Sequence, residues 1–307
     1  MYMKRNAPRA DLCLVLCGVL IWLLADAGRI RLAAAEALTL CARTVIPALF
    51  PFMAVSGMLV SLGFGEWLSP RLAGLMGLLF HLPGSAGSAL LLGLVGGYPI
   101  GARTAAALYR ENLLTRDEAQ RLLSFCNNSN PVFLISVLGA GVFSSTRTGI
   151  YLWLIHILSA LLTGILFRGR KTSVRKPPPA VFPCRTVRLT SVWVSSVQNA
   201  LSGILSVCAF VVLFYVALLP LRSISGNLGT ALIGTIELFS LTPLLENNRF
   251  SFLLAAFSTG WGGLSVLAQT AAILDDTDLS LKPCIYGKAV QGILSALLAA
   301  LVWQFVL

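Results

Sequence analysis

Charged residues are scarce in this sequence, and acidic residues are the scarcest. Only 11% of the 307 residues are charged, with 12 Asp and Glu against 23 Lys and Arg, whereas 57% are hydrophobic. Soluble domains carry about 25% charged residues, so the composition excludes an ordinary soluble domain. Cations clustered between apolar segments are typical of the cytoplasmic loops of membrane proteins, not of a nucleic-acid-binding face. We therefore predict an all-α polytopic membrane protein that contacts the lipid bilayer and no nucleic acid.

Motifs for catalysis and for metal binding are also missing. The sequence has two histidines and seven cysteines, and it contains no CxxC pair, no HExxH or GxSxG motif and no P-loop. His81 and His156 have no partner at a ligand spacing, and the odd number of cysteines gives no disulfide framework. We predict no catalytic residue, no metal and no cofactor.

The alternation of apolar runs and loops divides the chain into four parts. Residues 1–43 form an N-terminal span and an interfacial segment, 44–167 a first repeat, 168–190 a linker and 191–307 a second repeat. The linker holds seven Lys and Arg, no acid and three consecutive prolines. The positive-inside rule places such a segment in the cytoplasm. Counting the spans on either side of it then predicts cytoplasmic N- and C-termini.

The stretch VGGYPIGARTAAAL at 95–108 interrupts an apolar run with glycines and a proline. Backbone that leaves the helix is tolerated within a membrane only where it is buried in protein or lines a water-filled cavity. Two short apolar pieces within 67–95, separated by HLPGSAG, indicate a re-entrant helical hairpin that GGYPIG ends. A second broken pair is predicted over 228–241 and 252–260.

An internal repeat connects the two halves. When 96–108 is laid over 262–274, seven of thirteen positions are identical, namely Gly96, Gly97, Ala102, Thr104, Ala105, Ala106 and Leu108. Counting crossings puts 103–121 inside and the acidic stretch 275–278 outside, so the two copies would enter the membrane from opposite sides. We predict two inverted repeats, each with a broken hairpin, and about six full spans. This architecture is typical of secondary transporters, which bind substrate where the repeats meet.

The polar residues near the breaks are candidates for a binding site, each with a structural alternative. A helix beginning near Gly101 would direct free N–H groups at an anion, and Arg103 could add a bidentate donor or extend to the membrane interface. The amides of FCNNSNP could bind a planar solute or cap a helix. Glu237 could accept a coupling proton or pair with Arg71 or Arg249. The uncharged polar groups of the second copy could complete a cavity or pack between helices.

Together these considerations define one set of predicted substrate-binding residues and one coupling candidate. The substrate-binding set is Gly96, Gly97, Tyr98, Pro99, Gly101, Arg103, Thr104, Asn127, Asn128, Ser129, Gly262, Gly263, Ser265, Gln269 and Thr270, and the coupling candidate is Glu237.

The stretch GLVGGYPIGARTAAALYRENLLTRDEAQRLLSFCNNSNPVFLISVLGAG resembles the core signature of the YlbJ-type sporulation integral membrane proteins, which belong to the group with nucleoside-recognition, or Gate, domains. VIPALFPF and GGLSVLAQTAAIL, followed by Lys282-Pro283, are similar to the pattern of that family as well. The family's glycine-proline and Cys-Asn elements fall on Gly97, Tyr98, Pro99, Gly101, Ala102 and Arg103, and on Cys126, Asn127, Ser129 and Pro131.

The resemblance implies a protein of the outer forespore membrane that moves dipicolinate from the mother cell. It also implies other sporulation membrane proteins, or further copies of the chain, as partners. Dipicolinate is a planar ring with two carboxylates, which would suit Arg103 and amide side chains. A nucleoside or nucleobase transporter would need the amides but not Arg103. A non-transporting scaffold for spore-envelope assembly would instead use the broken helices as docking sites.

Overall fold

The computed structural model describes residues 10–169 and 188–306, and its regular elements are helices. Most of the predicted linker, residues 170–187, lies outside the described residues. The α-helices are α1 (Ala10–Ala25), α2 (Ala27–Leu40), α3 (Ile46–Ser61), α4 (Phe64–Leu79), α5 (Ala86–Gly96), α6 (Ile100–Arg110), α7 (Arg116–Leu123), α8 (Thr146–Leu166), α9 (Leu189–Ala217), α10 (Gly226–Ile236), α11 (Leu238–Leu241), α12 (Arg249–Trp261), α13 (Gly263–Leu274) and α14 (Lys282–Val306). Two π-helical segments, Cys41–Val45 and Phe133–Val142, and two 3₁₀ segments, Leu219–Ser223 and Thr242–Leu244, complete them.

Five helical stretches of the described chain are long and apolar enough to cross a membrane. They are Ala27–Ser61, Thr146–Leu166, Leu189–Ala217, Arg249–Leu274 and Lys282–Gln304. Large apolar side chains on their outer faces are exposed, among them Leu205, Leu213, Leu297 and Leu301. Exposed apolar surface on this scale marks contact with lipid or protein. The prediction of an all-α membrane protein is confirmed, with five long helices where about six spans were expected.

The helix over Ala27–Ser61 and α9 run antiparallel to each other. The Tyr215 hydroxyl, near the end of α9, donates to the Glu36 carboxylate at 3.1 Å. At the other end of the pair, a Cβ placed on Gly57 would lie 3.5 Å from the Cβ of Ser196. The order of contacts along one helix is therefore reversed along the other, and this pair connects the two halves of the molecule.

The chain reverses direction at GGYPIG, so that α5 and α6 form a helical hairpin with its tip at Gly97. At the open end, the Ser85 hydroxyl donates to the carbonyl of Leu113 at 3.4 Å. Near the tip, a Cβ on Gly93 would lie 3.1 Å from the Cα of Gly101. The two pieces predicted within 67–95 correspond to α4 and α5, which are separated at residues 80–85 and pack against each other near that break, where a Cβ on Gly87 would meet Leu72. The hairpin of α5 with α6 is an additional one that the sequence did not indicate.

The chain reverses again at Glu237, between α10 and α11. Glu237 is extended, with φ −149° and ψ 124°, and a Cβ on Gly234 would lie 2.9 Å from a methyl group of Leu241. Gly262, in contrast, interrupts a stretch of 26 residues, Arg249–Leu274, that is long enough to be one broken span. The first member of the second predicted pair, 228–241, is thus itself interrupted at Glu237, in addition to the expected separation from 252–260.

Helices α6 and α13, which carry the two copies of the sequence repeat, run parallel. At their N-terminal ends, a Cβ on Gly262 would lie 3.5 Å from the Tyr98 ring. At and beyond their C-terminal ends, Arg110 pairs with Asp276, and Arg116 pairs with Asp278 at 3.1 Å. These contacts place the acidic loop at the same end of the molecule as the arginines of 103–121. The predicted placement of these two segments on opposite sides of the membrane is therefore wrong. The same small residues stand at the turn of a hairpin in the first copy and at a break within one span in the second, so the sequence repeat did not determine the direction of the chain.

The C-terminal end of α14 lies at the opposite end of the molecule from the beginning of the linker. Gly169, the second residue of the predicted linker, accepts a bond from the His81 ring and lies beside Arg121. At the other end, Phe143, just before the start of α8, packs against Phe252 with 5.7 Å between the ring centroids, and Trp303 packs against Phe252 with 5.5 Å. A cytoplasmic linker and a cytoplasmic C-terminus, both predicted from the sequence, are therefore incompatible with this arrangement.

Candidate functional site

The tip of the α5–α6 hairpin is built from glycine because its backbone requires it. Gly97 has φ +82°, and a Cβ there would lie 2.8 Å from the Cβ of Asn130. Pro99 precedes the first residue of α6, and the first turn of any helix leaves N–H groups without helical partners. Arg103 follows within that first turn.

The segment Ser124–Pro131 interrupts the path between α7 and the π-helical segment Phe133–Val142. The Asn127 amide donates to the Thr270 hydroxyl at 3.1 Å, and the Asn128 amide donates to the carbonyl of Phe125 at 2.8 Å. The backbone N–H of Ser129 donates to Nε2 of His156 at 3.0 Å. Side chains and a buried histidine thus satisfy the backbone that has left the helix, as a membrane interior requires.

Asn130 fixes the other end of the same segment. Its amide nitrogen donates to the carbonyl of Ala48 in α3 at 3.1 Å, and its Oδ1 accepts from the N–H of Phe133 at 2.7 Å. Asn130 is 1% exposed. One side chain therefore caps the following helix and attaches the break to α3.

A buried lysine that sequence reasoning missed connects the tip of the α5–α6 hairpin and the segment Ser124–Pro131 to α14. Lys288 donates to the carbonyl of Asn127 at 2.9 Å, to Oε1 of Gln291 at 2.7 Å and to the Tyr98 hydroxyl at 3.4 Å. The Gln291 amide donates in turn to Oδ1 of Asn128 at 2.9 Å. An ionisable residue within a membrane segment indicates function by default, and Lys288 in the apolar stretch GKAVQGILSALL is such a residue, as Glu237 is.

The break between α10 and α11 brings Glu237 against the glycines of the second repeat copy. The carboxylate accepts bonds from the N–H groups of Phe239 (3.0 Å) and Ser240 and from the Ser265 hydroxyl (3.4 Å). Gly263, with φ +82°, forms an antiparallel bridge with Glu237.

The cations suggested as partners of Glu237 are engaged elsewhere or distant from it. Arg71 lies over the Trp67 ring at 4.0 Å and donates to the Trp67 carbonyl. Among the described residues, neither Arg71 nor Arg249 forms an ion pair with Glu237, so the predicted pairing is wrong. The carboxylate is instead held by backbone N–H groups of its own hairpin.

A cavity of about 200 Å³ lies between α6, α9 and α13. Its lining is Pro99, Arg103, Ser202, Gly203, Ser206, Val207, Gln269, Ala272 and Ile273. A smaller void of about 10 Å³, next to it, is lined by Tyr98, Ser129, Asn130 and Gln269 among others. Arg103 is the charged residue in the lining of the larger cavity, and no described carboxylate lies within ion-pair distance of it.

Gln269 connects the two cavities and has capacity for a further contact. Its side chain is 4% exposed and lines both, and its Oε1 is buried without a hydrogen-bond partner. A buried polar atom that lacks a partner is costly unless a ligand or water supplies one. The amide can present oxygen or nitrogen, because the two ends are exchanged by a flip.

The predicted site residues fall into two groups in the structure. Those that line a cavity are Tyr98, Pro99, Arg103, Ser129 and Gln269. Those that build the surrounding backbone and hydrogen-bond network are Gly96, Gly97, Gly101, Thr104, Asn127, Asn128, Gly262, Gly263, Ser265 and Thr270. Sequence reasoning missed Ser202 and Ser206, whose spacing of four places both hydroxyls on one face of α9.

The chain is similar in sequence to known membrane proteins. The sequence model of the Gate family, described as nucleoside recognition, matches residues 42–219, and the chain belongs to this family of integral membrane proteins. It is also 30% identical over 302 residues to the sporulation integral membrane protein YlbJ of Bacillus subtilis (strain 168), covering 85% of this chain and 74% of the relative. The resemblance read from the sequence is thereby confirmed. No solved structure matches the chain.

Proposed function

We propose that this protein transports a small, planar, anionic solute, and that the solute binds in the cavity between α6, α9 and α13. The observation that carries this proposal is Arg103, a cation without a described carboxylate partner in a cavity beside a broken helix. A guanidinium binds a carboxylate in a bidentate geometry. The N-terminal end of α6, which begins at Ile100 beside Pro99, adds partial positive charge at the same place.

The charge of the cavity favours an anionic solute. The cavity measures about 200 Å³ and is open on one side, where Arg103, Ser202 and Ser206 are exposed. A planar ring with two carboxylates can place a carboxylate on the Arg103 guanidinium, whereas a nucleoside has no such group. The kinship with an integral membrane protein named for sporulation supports a role in sporulation, and we propose the outer forespore membrane as the location.

The proposal retains two inverted repeats, with a pairing different from the one read from the sequence. In this pairing the α5–α6 hairpin corresponds to the α10–α11 hairpin, and α8 corresponds to α14. The broken path of residues 116–142 corresponds to Arg249–Leu274. The antiparallel course of Ala27–Ser61 and α9 supports an inverted relation. Glu237 remains the candidate acid for coupling, because its protonation would weaken the bonds that hold the second hairpin tip.

Uptake of labelled dipicolinate into proteoliposomes tests the proposal, with labelled uridine measured in parallel. We expect dipicolinate to enter with the native protein, and Arg103→Ala to abolish entry. Arg110→Ala, seven residues further along α6 and paired with Asp276 at the surface, is the matched control and should transport normally. Uridine uptake that Arg103→Ala leaves intact would move the protein to nucleoside transport. Absence of both solutes, with ion gradients imposed in either direction, would favour the scaffold.

A further inference from the structure

Lys288 is a cation in the interior of the molecule for which the anionic solute offers no explanation. Its side chain is 1% exposed. No carboxylate in the described parts of the chain lies within ion-pair distance of its ammonium group. A buried charge without a counter-ion is strongly destabilising unless other groups replace its hydration. Such a residue is retained in a membrane segment for a functional reason.

Three oxygen atoms replace the hydration of the Lys288 ammonium, each with its lone pairs directed at it. The carbonyl of Asn127 and Oε1 of Gln291 lie at 2.9 and 2.7 Å, and the Tyr98 hydroxyl at 3.4 Å. The Tyr98 hydroxyl directs its hydrogen away, to the carbonyl of Thr259, and Gln291 directs its amide hydrogens to Asn128. We call these three oxygens with Lys288 the ammonium site.

The ammonium site joins three elements that have to separate if the hairpin moves. Tyr98 belongs to the tip of the α5–α6 hairpin, Asn127 to the unwound segment after α7, and Gln291 to α14. The C-terminal end of a half-helix and the carbonyls of unwound backbone are the groups that hold coupling cations in transporters with broken helices. The carbonyl of Asn127, in the unwound segment after α7, supplies the second of these features here.

We propose that the Lys288 ammonium is a resident cation in a monovalent-cation site, so that the protein needs neither Na⁺ nor K⁺ to hold the hairpin tip against the unwound segment. One consequence, that transport is independent of Na⁺, rests on the proposed function. The occupation of the site by the Lys288 ammonium does not rest on it, because the contacts between the ammonium and the three oxygens involve no solute.

Thermal melting of the purified protein in chloride salts of Na⁺, K⁺ and choline tests the structural part. Lys288→Ala removes the ammonium and leaves space between the three oxygens, whereas Lys288→Met fills that space with an uncharged chain. Lys282→Ala, at the start of the same helix, is the matched control. We expect the native protein and Lys282→Ala to melt at the same temperature in all three salts.

The two substitutions at Lys288 should then behave differently. Both should lower the melting temperature in choline, and Na⁺ or K⁺ should raise it again for Lys288→Ala only, with a saturating dependence on concentration as mass action requires. A folded Lys288→Ala that ignores both ions would overturn the proposal, as would a native protein that is stabilised by Na⁺ specifically.

A measurement on the native protein remains decisive if the Lys288 variants do not fold. Solute uptake into proteoliposomes should be equal in Na⁺, K⁺ and choline media, and stimulation by Na⁺ would contradict a resident ammonium. Lack of uptake in every medium would count against the proposed function alone, because the melting experiment uses no solute.

Discussion

Gly101, like Gly93, permits a close approach between the hairpin and the unwound segment, and Gly101→Ala should therefore destabilise the protein. A Cβ at this position would lie 1.9 Å from the carbonyl oxygen of Cys126, 2.7 Å from its carbonyl carbon and 3.1 Å from the Cα of Asn127. All three atoms are backbone, so no flexible side chain can move aside. Overpacking of this kind costs about 1–3 kcal/mol, which outweighs the gain of about 0.5–1 kcal/mol from replacing a helical glycine by alanine.

Gly74→Ala provides the matched control, since Gly74 is an exposed glycine inside α4 and an added Cβ there would meet no neighbouring atom within 4 Å. Both variants gain the same helix propensity, and only one meets a neighbour. We expect Gly101→Ala to melt below the native protein in detergent and Gly74→Ala to melt at or above it. If Gly101→Ala melts no lower than Gly74→Ala, the close packing of the hairpin against the unwound segment is refuted.

Two further predictions concern the network and the orientation of the chain. Tyr98→Phe removes the hydroxyl that links Lys288 to the carbonyl of Thr259 and should lower the melting temperature. Tyr286→Phe is the control, because Tyr286 is exposed, and it should leave the melting temperature unchanged. Equal melting temperatures of the two variants would contradict the hydrogen-bond network. Single cysteines at Arg116→Cys and Asp278→Cys should react with a membrane-impermeant maleimide from the same side, because these residues form an ion pair. Labelling from opposite sides would restore the orientation predicted from the sequence.

The interruption at GGYPIG could be predicted from local features of the chain, because it depends on the backbone freedom of single residues. Gly97 adopts a positive φ there, and so do Gly262 and Gly263 of the second repeat copy. The break at Glu237 was not predicted. The direction of the chain beyond a break depends instead on what it packs against. Gly97 lies against Asn130, and the chain turns back there, whereas the chain continues through Gly262 into α13.

Candidate residues were predicted where a polar type stood out from its apolar surroundings. Arg103 and Gln269 were found in this way, and both line the cavity. Lys288 met the same criterion, but it was missed because it lies in a long apolar span without a break. Ser202 and Ser206 gave no such signal, since serines are common between membrane helices and only the position of α9 brings them to the cavity.

Protection of a cysteine in the cavity tests the central claim most directly. Ser202→Cys would be introduced on a background in which the exposed Cys13 and Cys17 have been replaced, and the rate of its modification by a small thiol reagent measured. The account predicts that dipicolinate slows this reaction in a saturable manner, that uridine does not, and that Arg103→Ala removes the protection. An unchanged rate under conditions in which the protein transports dipicolinate would show that the solute binds elsewhere.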